Sequence, residues 1–383
     1  MRRCRRRRRG RKVVPAPFFP ARRWVPDRPS KARARLSAFL HAIGTAVPPH
    51  DVHAAFFAWA QARVEARQAK LFDRMAGRAG IGHRWSVLTP NSFMPGGFYA
   101  GETSPGTAAR MRIYAQAAPA LALDAIAALR AQVPLDGLTH LVVASCTGFV
   151  APGVDQIVAA RLNLPAGVER LLVGFMGCYA AVAALRQARH IVRSDPAARV
   201  LVVTVELSTL HLQADTAIEP LMAQLQFGDG AAAALVSGEP GGFRLDRPFA
   251  AALPDSAAHI TWDITDTGFA MHLSGEVPGR IAAALADEAL AHAATGGRGA
   301  AGIDAWAVHA GGRSILDAVE GALRLSPDAL APSRAVLQAN GNMSSATLMF
   351  VLARLLAGPP VRHGAALAFG PGLAAEGFGF ASA

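Results

Sequence analysis

Apolar residues in this chain run in continuous blocks, bounded by glycine and polar positions, and seldom alternate one by one. That pattern suits strands buried on both faces of a sheet. Residues 37–46 read as a first strand closed by Val47-Pro48-Pro49, and Asp51 is placed to cap a helix over residues 54–70. Residues 86–106 carry no clear period and several Gly, Pro and Ser, so they read as a long loop. Ser104-Pro105 then introduces a helix predicted over residues 107–131.

A weak internal duplication follows. Residues 136–146 (DGLTHLVVASC) and 301–311 (AGIDAWAVHAG) share a short lead-in and an apolar strand. Roughly forty residues after the start of each, a glycine opens a helix. In the first copy it is Gly177-Cys178-Tyr179 with a helix over 180–192; in the second, Gly341-Asn342-Met343 with a helix over 344–356. Strands at 199–205 and 365–370 close the two units. Strands alternating with helices at this spacing predict an α/β fold of two pseudo-duplicated halves. Cys178 and Asn342 hold corresponding positions, so both are expected at one site.

Composition agrees with a buried globular body: of 383 residues 52% are hydrophobic and 17% charged. The longest apolar run, residues 171–185, is too short and glycine-containing to span a bilayer. The net charge of +12 belongs to one end: residues 1–35 carry 15 Lys/Arg and a single acid, Asp27. The rest is nearly neutral. The first 36 residues, with five prolines and no helical period, read as a disordered extension without a secretory h-region. Clustered arginines attract polyanions; without interleaved aromatics or a folded basic face they make no recognition surface, and a nucleic-acid role is not expected. Cys4, Cys146 and Cys178 have no CxxC spacing, which argues against a disulfide framework or structural zinc and for a reducing cytoplasm.

The chemistry concentrates in three residues. Cys178 sits at a helix start, where orphan N–H groups favour a thiolate nucleophile, although a cysteine in an apolar stretch is most often inert core. His309 ends a strand and is followed by Ala310-Gly311-Gly312, which leaves its ring room. Asn342 alone reads as an N-cap. Together they compose an acyl-transfer site: Cys holds a thioester, while His and Asn donate to carbonyl oxygens where negative charge develops.

Three segments carry a family resemblance: Gly174-Phe175-Met176-Gly177-Cys178-Tyr179-Ala180, Val308-His309-Ala310-Gly311-Gly312-Arg313-Ser314-Ile315-Leu316-Asp317 and Gly341-Asn342-Met343-Ser344-Ser345-Ala346. With Phe227-Gly228-Asp229-Gly230-Ala231-Ala232-Ala233 and Phe369-Gly370-Pro371-Gly372-Leu373, they resemble the type III polyketide synthases, the chalcone synthase family, over about residues 37–380. The resemblance implies a thiolase-like αβαβα homodimer, with halves at 37–238 and 239–383. It further implies acyl-CoA and malonyl-CoA as substrates and no metal or organic cofactor. Cys178 would carry the starter, and His309 and Asn342 would bind malonyl-CoA for decarboxylation.

Further positions are implied by the same likeness. Phe227 matches a gatekeeper, and Met271 stands where plant members usually have a second phenylalanine. Arg74 and Arg78 match residues that contact CoA phosphates, with Leu71, beside Lys70, at a third basic position. Cys146, Thr147, Ala151, Ser208 and His211 align with the cavity lining. Small or pliable Ala151 and Met271 leave room for a long chain, which predicts a bacterial alkylresorcinol- or alkylpyrone-forming enzyme with a fatty acyl starter. The alternatives are an aromatic-starter chalcone synthase-like enzyme and an initiating ketoacyl-carrier-protein synthase, which condenses once from a carrier-bound malonyl group.

Overall fold

Strands without polar alternation need cover on both faces, and the computed structural model shows how they obtain it. It describes residues 37–101 and 104–383; the expected disordered extension at 1–36, Cys4 included, lies outside the described residues. The first half comprises β1 (Ala38–Ala46), β2 (His50–Asp51), α1 (His53–Gln61), α2 (Ala69–Gly77), β3 (Trp85–Ser86), α3 (Thr107–Arg130), β4 (His140–Ser145), α4 (Val154–Arg161), β5 (Glu169–Gly174), α5 (Ala180–Ser194), β6 (Arg199–Leu207), α6 (Ile218–Gln224) and β7 (Asp229–Ser237). The second comprises β8 (Phe243–Ala252), β9 (Ile260–Thr265), β10 (Gly268–Leu273), α7 (Val277–Ala286), α8 (Glu288–Thr295), β11 (Ala305–Val308), α9 (Arg313–Leu323), α10 (Ala331–Asn340), α11 (Ser345–Leu356), β12 (Gly364–Gly370) and β13 (Ala374–Ser382).

The strand order β11-β12-β13-β8-β1-β7-β6-β4-β5 makes the duplication visible. In one half β4 and β6 run parallel, and β7 and β1 follow antiparallel. In the other, β11 and β12 run parallel, and β13 and β8 follow antiparallel. The halves meet where Ala38, Phe39 and Leu40 pair with Leu245, Arg244 and Phe243. Helices α5 and α11 lie between them: their buried faces share one core with inward residues of both sets of strands, such as Val202 and Ala366. Outside, α3 covers the first half, and α7, α9 and α10 the second. This is the thiolase-like αβαβα layering. Fully burying a Leu, Val or Phe side chain contributes roughly 1.5–3 kcal/mol, so the central helices anchor both halves at once.

The helix predicted over 54–70 is in fact two. No Gly or Pro marks the break after Gln61. It arises from packing: Arg63 donates to the Trp59 carbonyl at 3.0 Å and stacks on the Trp59 ring, and Phe72 of α2 returns to stack on Phe57 of α1. The N-cap of α1 is Val52, without a side-chain cap; Asp51, the expected cap, stands one residue before it, accepts from His53 N at 3.0 Å, and ties the β3 segment through Arg84 N and His83. The loop predicted over 86–106 begins on β3 and contains one 3-10 turn, Pro90–Phe93.

Candidate active site

Each half delivers one tight turn to a shared cavity. In the first, a 3-10 turn at Gly177–Tyr179 leads from β5 into α5 and presents Cys178. Gly177 has φ +74°, and a Cβ there would lie 2.3 Å from Pro371 Cδ, so only glycine lets the loop after β12 close on this turn. In the second, Gly341, Asn342, Met343 and Ser344 lead into α11, with Ser344 held at φ +47°. Such a conformation costs a non-glycine residue on the order of 1–3 kcal/mol; here it turns the hydroxyl toward Cys178.

Cys178, His309 and Asn342 line one cavity of about 680 Å³, a size that suits a small-molecule site. Asn342 is pinned at both ends of its carboxamide. Its Nδ2 donates to the Gly311 carbonyl at 3.0 Å and its Oδ1 accepts from Ser344 N at 2.9 Å. The amide also reaches the Cys178 sulfur, which it favours as the thiolate. His309 is buried, and neither ring nitrogen has a partner among the described residues. Gly311 gives it room, since a Cβ there would press on the ring at 3.4 Å.

Electrostatics set the resting protonation. Burial pushes His309 down to about 3, so its imidazole is neutral and keeps one N–H to donate. Burial likewise pushes the Cys178 thiol up to about 12, with Glu206 adding to the rise. The Ser344 hydroxyl, the Asn342 amide and the cysteine's own N–H favour the thiolate but do not prevail. The helix-start argument read from sequence is thus outweighed by desolvation.

Beneath the turn sits Glu206, a residue the sequence reading passed over. It is fully buried, and burial pushes it up to about 7. Its oxygens accept from Cys146 N and Thr147 Oγ1, each at 2.9 Å, and from Ser345 Oγ at 2.5 Å. The Ser345 hydroxyl of one half and the Glu206 carboxylate of the other thereby tie the end of β4 to the start of α11. Nothing local in Val205-Glu206-Leu207 announces this, because an acid's burial depends on what folds over it.

Of the other expected lining residues, Phe227, Met271, Cys146, Thr147, Ser208 and Arg78 face the cavity. Arg74 does not; it is exposed on α2, one turn before Arg78. Ala151 does not either. After β4 the chain turns outward, and Ala151 is exposed beside the exposed Phe149. His211 stands one layer behind the wall, stacked on Phe269 at 4.1 Å and edge-on to Trp262. Trp262 itself was missed: it lines the cavity from the β9–β10 hairpin and donates to the Cys146 carbonyl at 2.9 Å. The lining runs from buried His309 to exposed Arg78, Arg313 and Asp317, so the cavity reaches the surface between α2 and α9.

Among the described residues there is no group of His, Cys, Asp or Glu fit to hold a metal ion, and no helix long and apolar enough to cross a membrane. Comparisons with known proteins bear on the family and the fold. The family model for the N-terminal domain of chalcone and stilbene synthases matches residues 27–240, and that for the C-terminal domain matches residues 245–383. The alpha-pyrone synthesis polyketide synthase-like protein Pks18 of Mycobacterium tuberculosis is 34% identical over 286 residues, covering 71% of this chain and 72% of the relative. Among solved structures, PKS-I from the brown alga Ectocarpus siliculosus superposes with a TM-score of 0.83 at 29% identity, over 91% of this chain and 99% of that one. The C-terminal type III polyketide synthase domain of Steely1 from Dictyostelium shares the fold, with a TM-score of 0.83 at 24% identity over 90% and 99% of the two chains.

Proposed function

The chain belongs to the chalcone and stilbene synthase family of type III polyketide synthases, and from that premise we propose that it extends a fatty acyl starter with malonyl units, using Cys178, His309 and Asn342. The observation that carries the reading is the convergence of these three on one cavity, with both His309 nitrogens lacking a partner among the described residues.

The sulfur of Cys178 attacks the carbonyl of an acyl-CoA, its proton passes to His309, and CoA leaves as the thiol on taking that proton. Because the resting pair is neutral, the proton moves as the sulfur–carbon bond forms. Malonyl-CoA then enters with its thioester oxygen between His309 N–H and Asn342 Nδ2–H. The bond to the carboxylate breaks, carbon dioxide leaves, and the electron pair becomes an enolate whose oxygen those donors stabilise. Neutral donors suit an enolate, since a strong acid there would quench it. The enolate carbon attacks the Cys178 thioester, the thiolate leaves, and the lengthened chain, now on CoA, returns to Cys178 for the next round.

Arg78 at the mouth is placed to meet the CoA phosphates, with Arg74 one turn away on the same helix. An apolar cavity lined by pliable Met271 suits an alkyl chain, and ring closure would yield an alkylpyrone or alkylresorcinol. The name of the mycobacterial relative supports the pyrone branch. We further propose a homodimer: β5 is an edge strand with Leu171 and Leu172 exposed beside Phe149, a surface that invites a partner.

The test is a mass-spectrometric assay with malonyl-CoA and acyl-CoAs from acetyl to stearoyl, run beside Cys178→Ala. Tri- or tetraketide products from long starters, absent in the variant, are expected. Turnover with aromatic starters alone would overturn the fatty acyl assignment, and condensation only with carrier-bound malonate would overturn the whole reading.

A further inference from the structure

Arg84 is fully buried without an ion-pair partner within 4.0 Å among the described residues. Its position in the chain, just before β3, is remote from every residue of the cavity's catalytic trio. Its guanidinium nevertheless ends beneath the gate. Nη1 donates to the carbonyls of both Gln224 and Phe227, at 3.1 and 3.0 Å. Nε donates to His53 Nδ1 at 3.1 Å, and Cζ lies 4.4 Å from the centre of the Phe56 ring. The aliphatic stem packs under Gly341: a Cβ there would come within 3.0 Å of Arg84 Cγ.

What Arg84 holds is coupled directly to Asn342. The Gln226 carbonyl accepts from Asn342 N at 2.7 Å, and Gly228 N donates to the Asn342 carbonyl at 3.0 Å. Phe227 and Asn342 thus form a two-stranded parallel bridge. The guanidinium grips one side of that bridge by the Phe227 carbonyl, while its stem fills the space beneath Gly341 on the other. The two hydrogens of Nη1, held in the guanidinium plane, fix two carbonyls at a set spacing; a lysine supplies one freely rotating point charge, and a hydrocarbon supplies nothing to them. Asp51 and Asp229 favour the charge from beyond ion-pair distance but do not offset its burial, so the arrangement answers a positional demand that packing alone would not.

We infer that Arg84 is a positioning residue, clamped across the Gln224 and Phe227 carbonyls so as to fix the Phe227 gate and, through the bridge, the placement of Asn342. The inference rests on the assignment of Asn342 to malonyl-CoA binding. It predicts that loosening the clamp harms decarboxylation more than acylation of Cys178, which sits on the other half's turn.

The experiment compares Arg84→Met, Arg84→Lys and His53→Ala with wild type as full-length proteins. Malonyl-CoA decarboxylation gives kcat and KM per folded subunit, intact mass follows acylation of Cys178 by a fatty acyl-CoA, and a melting curve reports folding. Arg84→Met is expected to lower kcat for decarboxylation roughly 10- to 100-fold, the scale of a sub-ångström to ångström misplacement, while the acylation rate changes far less. Arg84→Lys should recover part of the loss, and His53→Ala should move the same way by a smaller factor. If Arg84→Met does not fold, the lysine and His53 variants decide. Lowered melting temperatures with wild-type kcat per folded subunit would make Arg84 purely structural and overturn the inference. A wild type that neither decarboxylates malonyl-CoA nor extends a starter would sink the functional reading itself and the clamp with it.

Discussion

Two buried histidines, one in the cavity wall and one just behind it, meet the same desolvation and do opposite things. Burial pushes both His211 and His309 down to about 3, so both are neutral. His211 spends both nitrogens: Nε2–H donates to the Thr147 carbonyl at 2.7 Å, and Nδ1 accepts from Phe269 N at 3.0 Å, which fixes its tautomer. His309 spends neither on the protein. The difference teaches that protonation alone does not separate a structural imidazole from the one proposed to act on substrate. An account of hydrogen-bond partners does, because a buried polar group without one is costly and survives where a ligand will complete it.

The sharpest way to break that contrast is to remove each ring. For His309→Ala we expect kcat for product formation to fall by about 10²–10⁴-fold, the scale of a lost oxyanion donor or acid–base group, with the melting temperature unchanged or higher. A large drop in melting temperature would instead place His309 among the structural histidines. His211→Ala should show the reverse. Leaving the Thr147 carbonyl and Phe269 N–H unpaired, with a void beside Phe269, should cost about 2–5 kcal/mol by denaturant titration. Activity per folded subunit should stay within roughly tenfold of wild type.

pH treats the two histidines alike, which sharpens the point. A histidine whose folded pKa is lowered contributes stability that is present above the unfolded value near 6.5 and lost as pH falls toward the folded one. Glu206 and Asp229, raised to about 7 and about 6, act oppositely: their contribution is full below the unfolded carboxylate range and lost as pH rises through those values. Replacing either His211 or His309 by Gln should therefore flatten the loss of stability between pH 7 and pH 5, by about 2 kcal/mol at pH 5 for each ring kept neutral in the fold. Equal flattening in both variants, measured by chemical denaturation across that range, is the expected result; flattening in one alone would mean that the other is charged in the fold.

Smaller effects lie in the wall that His211 supports. Trp262→Ala widens the cavity and should shift kcat/KM among acyl-CoA starters several-fold toward longer chains; an unchanged profile would put the Trp262 ring outside the chain's path. Cys146 is a thiol whose pKa burial pushes up, and its sulfur is engaged by Gly177 N at 2.9 Å. Cys146→Ala should alter kcat by no more than about threefold, and peptide mapping after alkylation should find Cys178 modified well ahead of Cys146.

Much of this was legible in the chain. The long apolar strands, the duplicated strand-to-helix units and the equivalence of Gly177-Cys178 with Gly341-Asn342 are local patterns, and the sheet order reproduces them. What escaped depends on contacts distant in sequence. The break between α1 and α2 follows from Phe72 returning to Phe57, not from any breaker residue. The burial of Glu206 and Arg84 is decided by Ser345, Phe227 and Gly341, far along the chain. Ala151 reads as a lining residue by alignment, yet its backbone turns outward, and the fall of Cys178 into a desolvated pocket reverses what its helix start suggests.

The seam between the halves has a consequence for how the protein is made. β1 is the first strand among the described residues, but its neighbours in the sheet are β7 and β8. During synthesis this nine-residue apolar strand therefore leaves the ribosome long before either neighbour exists. Pairings so distant close slowly and leave sticky edges exposed meanwhile. A nascent chain released before β8 should be a client of chaperones, and a truncation just after β7 should be recovered mostly in aggregates. Since the second turn of the site arrives later still, Cys178 has neither His309 nor Asn342 beside it until residue 342 has emerged: assembly of the fold and completion of the cavity are one event.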